Sequence, residues 1–241
     1  SGRVLVIGVG AAKVTRGDVL VYAGMPRWEI QMRYRYGKHP NFRTSNAEED
    51  LIRKYKRGYF VDWRMCDEHK REIINQVDYY LDTTKPNQPK LLGKALYLRA
   101  LQETARQPFR VMPYFDEGLW GGHWLEEVCD VHDPKMRNLA WSYTCLLEEN
   151  SLLVRIADTL VELPSIDLSY YQPLALLGEQ TYSRFGNEFP IRFDFLDTMG
   201  GGNLSLQVHP SSQYIRESFG MNYTQEESYY IMDAEPGGSV Y

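Results

Sequence analysis

Gly200-Gly201-Gly202-Asn203-Leu204-Ser205-Leu206-Gln207-Val208-His209-Pro210 is the stretch on which the reading of this chain turns. Its alternation predicts a strand, and in a strand residues two apart face the same side. Gln207 and His209 then point together into one cavity, with Ser205 beside them. An amide oxygen and a neutral imidazole nitrogen can bind one divalent ion. A second expected strand, Glu227-Ser228-Tyr229-Tyr230-Ile231-Met232-Asp233, offers the carboxylate of Glu227 as a third ligand. Ordinary hydrogen bonding is the alternative use of a Gln-x-His pair, and spacing alone leaves both open. The glycine run before Asn203 suits a tight turn or close backbone packing better than a phosphate cradle.

Working outward, short apolar or alternating runs separated by Gly, Pro, Asn and Asp continue on both sides. They are Phe109–Pro113, Trp141–Leu146, Ser151–Ile156, Pro190–Leu196, Leu204–His209 and Glu227–Asp233. That pattern predicts a β-sandwich or barrel from Pro108 onward, with Leu174–Gly178 as a helical insertion. The first part reads differently. Arg3–Ile7 and Val19–Ala23 are expected strands, and residues 26–82 are expected to be largely helical. The clearest helical stripe there is Ile73, Ile74, Val77, Tyr80 and Leu81. Thr83–Pro89 is turn-rich and marks a boundary, and Leu91–Arg106 reads as a helix. The expected fold is mixed: an α/β unit over 1–87, a linker helix over 88–107 and a mainly β barrel portion over 108–241. Both ends lie directly beside strand-like runs without polar tails, which leads us to expect an internal piece of a longer protein.

The chain has 241 residues, 43% hydrophobic and 13% aromatic, so it can form a packed core. A net charge of -5 lacks the basic footprint of a duplex-binding protein, so no nucleic-acid partner is expected. No apolar run is long enough to span a membrane, and no signal peptide opens the chain. Cys66, Cys129 and Cys145 are too few and too unpaired for a disulfide framework, which fits a cytoplasmic setting. Cys129 and Cys145 read as small buried hydrophobes. His123, after Trp120-Gly121-Gly122, is a further candidate to face the cavity, whereas His39, His69 and His132 sit among charged or turn residues and read as solvated.

Phe189-Pro190-Ile191, Leu196-Asp197, Leu204 to Pro210 and Glu227 to Ala234 occur in this order, and together they resemble the signatures of type I mannose-6-phosphate isomerases. Trp120-Gly121-Gly122 and the run from Trp141 to Leu153 resemble the first strands of the same family. The resemblance covers about residues 108–241. It implies a cupin-type (jelly-roll) barrel and a zinc ion held by Gln207, His209 and Glu227. It also implies a later histidine and a catalytic arginine beyond Tyr241, and Ser205 near the substrate phosphate. The implied reaction interconverts mannose 6-phosphate and fructose 6-phosphate, or a related sugar phosphate, through an enediol. Two lysines that serve the phosphate in the family are replaced here by Gln225 and Asp194. Losing two positive charges weakens a phosphate pocket.

Residues 27–64 are locally basic, with Arg27, Arg33, Arg35, Lys38, Arg43, Arg53, Lys54, Lys56, Arg57 and Arg64. One reading is a solvated helical face partnered by Glu29, Glu48, Glu49 and Asp50. The other is a phosphate-facing lid, because about residues 1–85 are similar, more weakly, to the C-terminal part of a P-loop nucleoside kinase. No GxxxxGK[ST] loop is present, so no kinase activity is expected from these residues. The leading expectation is a zinc-dependent aldose–ketose isomerase. The alternatives are a non-catalytic cupin that senses a sugar, and a nucleotide-dependent bifunctional protein with a P-loop upstream of Ser1.

Overall fold

The computed structural model describes residues 2–240. It is a mixed α/β structure with small sheets, and no sheet closes into a barrel among the described residues. Two compact units form. The first joins residues 1–112 to 147–190, and the second joins 113–146 to 191–241.

The first unit contains strands β1 (Val21–Gly24), β2 (Tyr79–Asp82) and β3 (Lys90–Gly93), in the order β1-β2-β3. β1 and β2 run parallel, with Tyr22 opposite Tyr80. A parallel pair needs a long crossover. Here that crossover holds α2 (Arg27–Tyr36), α3 (Leu51–Arg57), a π turn at Gly58–Asp62 and α4 (Trp63–Ile73), and the short α1 (Ala11–Val14) precedes β1. Asp50 caps α3 by accepting from the Arg53 amide at 3.1 Å. β2 and β3 are antiparallel, joined by a turn in which Asn87 takes a left-handed φ of 58°. α5 (Lys94–Ala105) follows. After β4 (Tyr114–Asp116), α6 (Trp124–Cys129) and β5 (Trp141–Cys145), which belong to the second unit, the chain returns with the hairpin β6 (Ser151–Ile156) and β7 (Thr159–Pro164), then α7 (Ile166–Tyr171) and α8 (Pro173–Phe185). α8 is broken at Gly178, whose φ is 72°.

The core of this unit is Ile74, Val77, Tyr80, Leu92, Tyr97, Leu101, Leu152, Val161, Leu163 and Leu168. Helix α5, expected as a linker, contributes Tyr97 and Leu101 to it, both almost fully buried. Within the core, the Tyr80 and Tyr97 rings stack 4.5 Å apart. The Tyr97 hydroxyl donates to Asp167 Oδ2 at 2.6 Å, and the Lys70 ammonium bonds Asp167 Oδ1. Lys70 also lies 5.2 Å from the Tyr22 ring centre and 5.6 Å from that of Tyr80. The buried cation therefore has both a carboxylate and two aromatic faces. Burial raises the Asp167 carboxyl above the ordinary carboxylate range, and the Lys70 charge opposes that rise.

The second unit is a three-stranded antiparallel sheet, β4-β5-β8, with β8 at Phe193–Leu196, followed by α9 (Ser212–Phe219). Asp197 organises it. Its buried carboxylate accepts from the amides of Leu125 and Met199 at 2.8 and 2.9 Å. Its carbonyl accepts from Gly122 N at 2.9 Å. Gly201 lies against the Trp120 and Gly121 carbonyls, where a Cβ would clash, and Gly202 N donates to Trp120 O at 2.9 Å. The glycine run thus serves close backbone packing.

Several expected elements differ. The stripe through Leu81 does not stay helical: α4 ends at Ile73, a short 3-10 turn follows, and Tyr79–Asp82 becomes the central strand β2. Tyr80 is fully buried there, between β1 and β3, and tertiary packing outweighs the local period. Arg3–Ile7, Leu204–His209 and Glu227–Asp233 form no paired strands. Val4, Leu5, Ile7, Leu206, Val208 and Tyr230 consequently remain exposed. A strand exists only with a hydrogen-bonding neighbour, so propensity without a partner leaves an extended segment. No helix is long and apolar enough to cross a membrane among the described residues.

Candidate functional site

The expected ligand residues lie in the second unit, on two extended segments. Along the first, Ser205, Gln207 and His209 alternate with Leu204, Leu206 and Val208. On the second, Gln225, Glu227 and Tyr229 are spaced two apart, with Glu226 and Ser228 between them. The two segments meet at His209. Its Nδ1 lies 2.8 Å from the Gln225 carbonyl oxygen. A carbonyl oxygen only accepts, so Nδ1 carries a proton in that bond. Its Nε2 lies 3.4 Å from Glu227 Oε2. With Nδ1 bonded to Gln225, Nε2 is the ring nitrogen turned toward the carboxylate.

Glu227 is itself held from both sides. Tyr229 donates its hydroxyl to Oε1 at 2.5 Å, and Gln225 Nε2 donates to Oε2 at 3.3 Å. The bond to Glu227, reinforced by burial, pushes the Tyr229 phenol up to about 12. Asp194 on β8 lies within electrostatic reach, since burial first and the Glu227 charge second raise its carboxyl. The site is thus rich in acceptors, with an acidic Asp194 and a neutral Gln225 at the two positions where the resemblance expects lysines.

Gln207 stands apart from this pair. Its amide Nε2 donates to Ser205 Oγ at 3.3 Å, which links the expected amide ligand to the expected phosphate contact. The pairing of His209 with Glu227 joins residues foreseen from sequence. The Tyr229 hydroxyl bond to Glu227 is a contact that sequence reasoning does not supply. The i, i+2 spacing of 227 and 229 was the available signal. His123 bonds Glu126 through Nδ1 at 3.1 Å on the exposed start of α6. Among the described residues no group of three or more His, Cys, Asp or Glu side chains converges as a metal site.

The basic stretch in the first unit is only partly a solvated face. Arg33 pairs with Glu29 at 2.7 Å and also donates to the carbonyls of Thr83 and Thr84 at 3.1 Å. Lys38 pairs with Glu48 at 2.8 Å. Arg27 is buried against Asp67 and over the Trp63 ring, and Lys54 is buried with its ammonium on the Ala47 carbonyl. These cations hold helices and loops together. Burial pushes the Cys66 thiol up to about 11, so this cysteine stays protonated near neutrality.

Residues 1–106 match a family model described as a domain of unknown function (DUF8485). No curated protein and no solved structure matches the chain.

Proposed function

We propose that residues 108–241 carry the first part of a zinc-dependent aldose–ketose isomerase site of the cupin barrel class. It acts in the cytoplasm on mannose 6-phosphate, fructose 6-phosphate or a related sugar phosphate. The observation that supports this reading is the 3.4 Å between His209 Nε2 and Glu227 Oε2. A charge-assisted N–H···O bond is shorter, about 2.7–2.9 Å. Ligand bonds of roughly 2.0–2.1 Å in a tetrahedral zinc site set neighbouring donor atoms about 3.3–3.4 Å apart. His209 offers Nε2 to the metal, and Gln225 orients the ring as an outer carbonyl does at a metal-bound histidine. Tyr229 orients Glu227, Gln207 offers its amide oxygen, and the Ser205 hydroxyl is available to a phosphate oxygen. Zinc, when bound, supplies Lewis acidity that polarises the sugar carbonyl and steadies an enediolate.

Two measurements test this. The chain should bind zinc by titration calorimetry, with binding lost in both His209→Ala and Glu227→Gln. A form extended past Tyr241, where the resemblance puts the later histidine and the arginine, should convert mannose 6-phosphate to fructose 6-phosphate only with zinc. Turnover that survives metal stripping would sink the proposal.

Asp194 and Gln225 favour a second reading, a cupin that binds an uncharged sugar and signals its presence. Carboxylates bond sugar hydroxyls well and repel phosphate. Saturable sugar binding with no product, in a folded zinc-loaded protein, selects it.

A further inference from the structure

A groove of about 480 Å³ in the first unit runs between α5 and β6. All five residues from Leu152 to Ile156 line it, from both faces of the strand, so the groove follows the strand's edge. The register identifies which backbone groups face that edge. The hairpin turns through Ala157 and Asp158, with Ile156 opposite Thr159, Val154 opposite Val161 and Leu152 opposite Leu163. In a two-residue hairpin the pair flanking the loop is hydrogen-bonded, and bonded pairs alternate along the ladder. Ser151, Leu153 and Arg155 therefore turn their N–H and C=O groups away from β7. Two bonds agree with this parity. Met112 N donates to Ser151 O at 2.8 Å on the β6 side, and Glu162 N, opposite Leu153, donates outward to Asp82 at 3.0 Å on the β7 side. At Leu153 and Arg155 the outward groups have no partner among the described residues.

The chain's own neighbouring segment does not seal this edge. Extending the Met112–Ser151 bridge antiparallel puts Arg110 opposite Leu153 and Pro108 opposite Arg155. Pro108 has no N–H to give. Residues 106–111 carry no strand pairing. The groove also has a charge preference. Arg110 and Arg155 line it, and neither side chain has a hydrogen bond or ion pair among the described residues, in a chain of net charge -5. The lining also includes Ala100, Leu152 and Phe109, and the one acidic lining residue, Glu103, is paired with Arg99 at 2.7 Å.

We propose that this groove takes an extended peptide segment with alternating acidic and apolar side chains, which adds to β6 as a third strand. Main-chain bonds to Leu153 and Arg155 supply the affinity, and Arg110 and Arg155 select carboxylates. An added strand also extends a two-stranded hairpin, a unit that is marginal by itself. The proposal is independent of the metal site.

The test uses the whole chain and a short fluorescein-labelled peptide alternating valine and glutamate. Its valine–lysine counterpart, inorganic phosphate and succinate serve as comparisons. Anisotropy should show saturable binding of the acidic peptide alone. Hydrogen exchange should slow at the Leu153 and Arg155 amides when it binds. Arg110→Glu with Arg155→Glu, both exposed and expected to fold normally, should weaken binding roughly tenfold or more, and lysine at both positions should largely restore it. Four outcomes each overturn the proposal. They are no binding, binding without protection of those two amides, amides already protected in the free chain, and displacement of the peptide by phosphate or succinate, which would make the groove a small-anion site.

Discussion

The two units use carboxylates in opposite ways. In the first, Asp167 is fully buried, paired with the Lys70 cation and bonded by the Tyr97 hydroxyl, and Asp82 is buried beneath backbone donors. In the second, Glu227 and Asp194 lie at an accessible site in each other's field, with His209 alongside. A carboxylate given all its partners by the fold stabilises that fold. One left facing another acceptor is available to a cation or a sugar. The difference separates structural acid from candidate functional acid although both are the same residue types.

The largest expected effect breaks the first kind. Lys70→Met leaves Asp167 buried without its cation and should cost about 3–5 kcal/mol in urea unfolding. Lys70→Met combined with Asp167→Leu should recover much of that loss, and a double variant as unstable as the single one would contradict the assignment. Asp197→Ala comes next, because it orphans the amides of Leu125 and Met199 in the second unit. About 1–3 kcal/mol should be lost there, with hydrogen exchange rising around α6 and not around α5.

Asp82 gives the pH dependence. Burial pushes its carboxyl up, but bonds from Glu162 and Thr84 and the charge of Lys90 outweigh this, so it lies below its ordinary 3.8. A lowered folded value means stability that is present above 3.8 and lost as pH falls through the folded value. Asp82→Asn should therefore flatten the acid limb of a stability–pH curve while lowering stability at neutral pH. An unchanged acid limb would show that Asp82 is not held in this way. The smallest stability effect belongs to the site. His209→Ala should shift unfolding by less than about 0.5 kcal/mol, yet abolish zinc binding. A large destabilisation would move His209 into the structural class and sharpen the comparison against the metal proposal.

The contrast also marks where sequence reading succeeds. β6 was legible to the residue, because Ser151–Ile156 is a short, largely apolar run and a turn follows it. Trp141–Cys145 and the helix beginning near Leu174 were legible for similar reasons. β7 was missed although it pairs with β6 along its whole length. Thr159 to Pro164 ends in proline and carries Glu162 at a position the fold half-buries, which disguises it as a loop. The Lys70–Asp167 pair was invisible, since 97 residues separate its members and neither lies in a motif.

By itself the sequence determined the mixed α/β character and the turn-bounded segments, because these depend on neighbours a few residues apart. Tertiary structure alone decided that Tyr79–Asp82 is a central strand, that α5 belongs to a core, and that His209 meets both the Gln225 carbonyl and the Glu227 carboxylate. It also decided which strand-forming segments find a partner. Pairing energy comes from hydrogen bonds to a distant strand, and no local pattern specifies whether that strand is there.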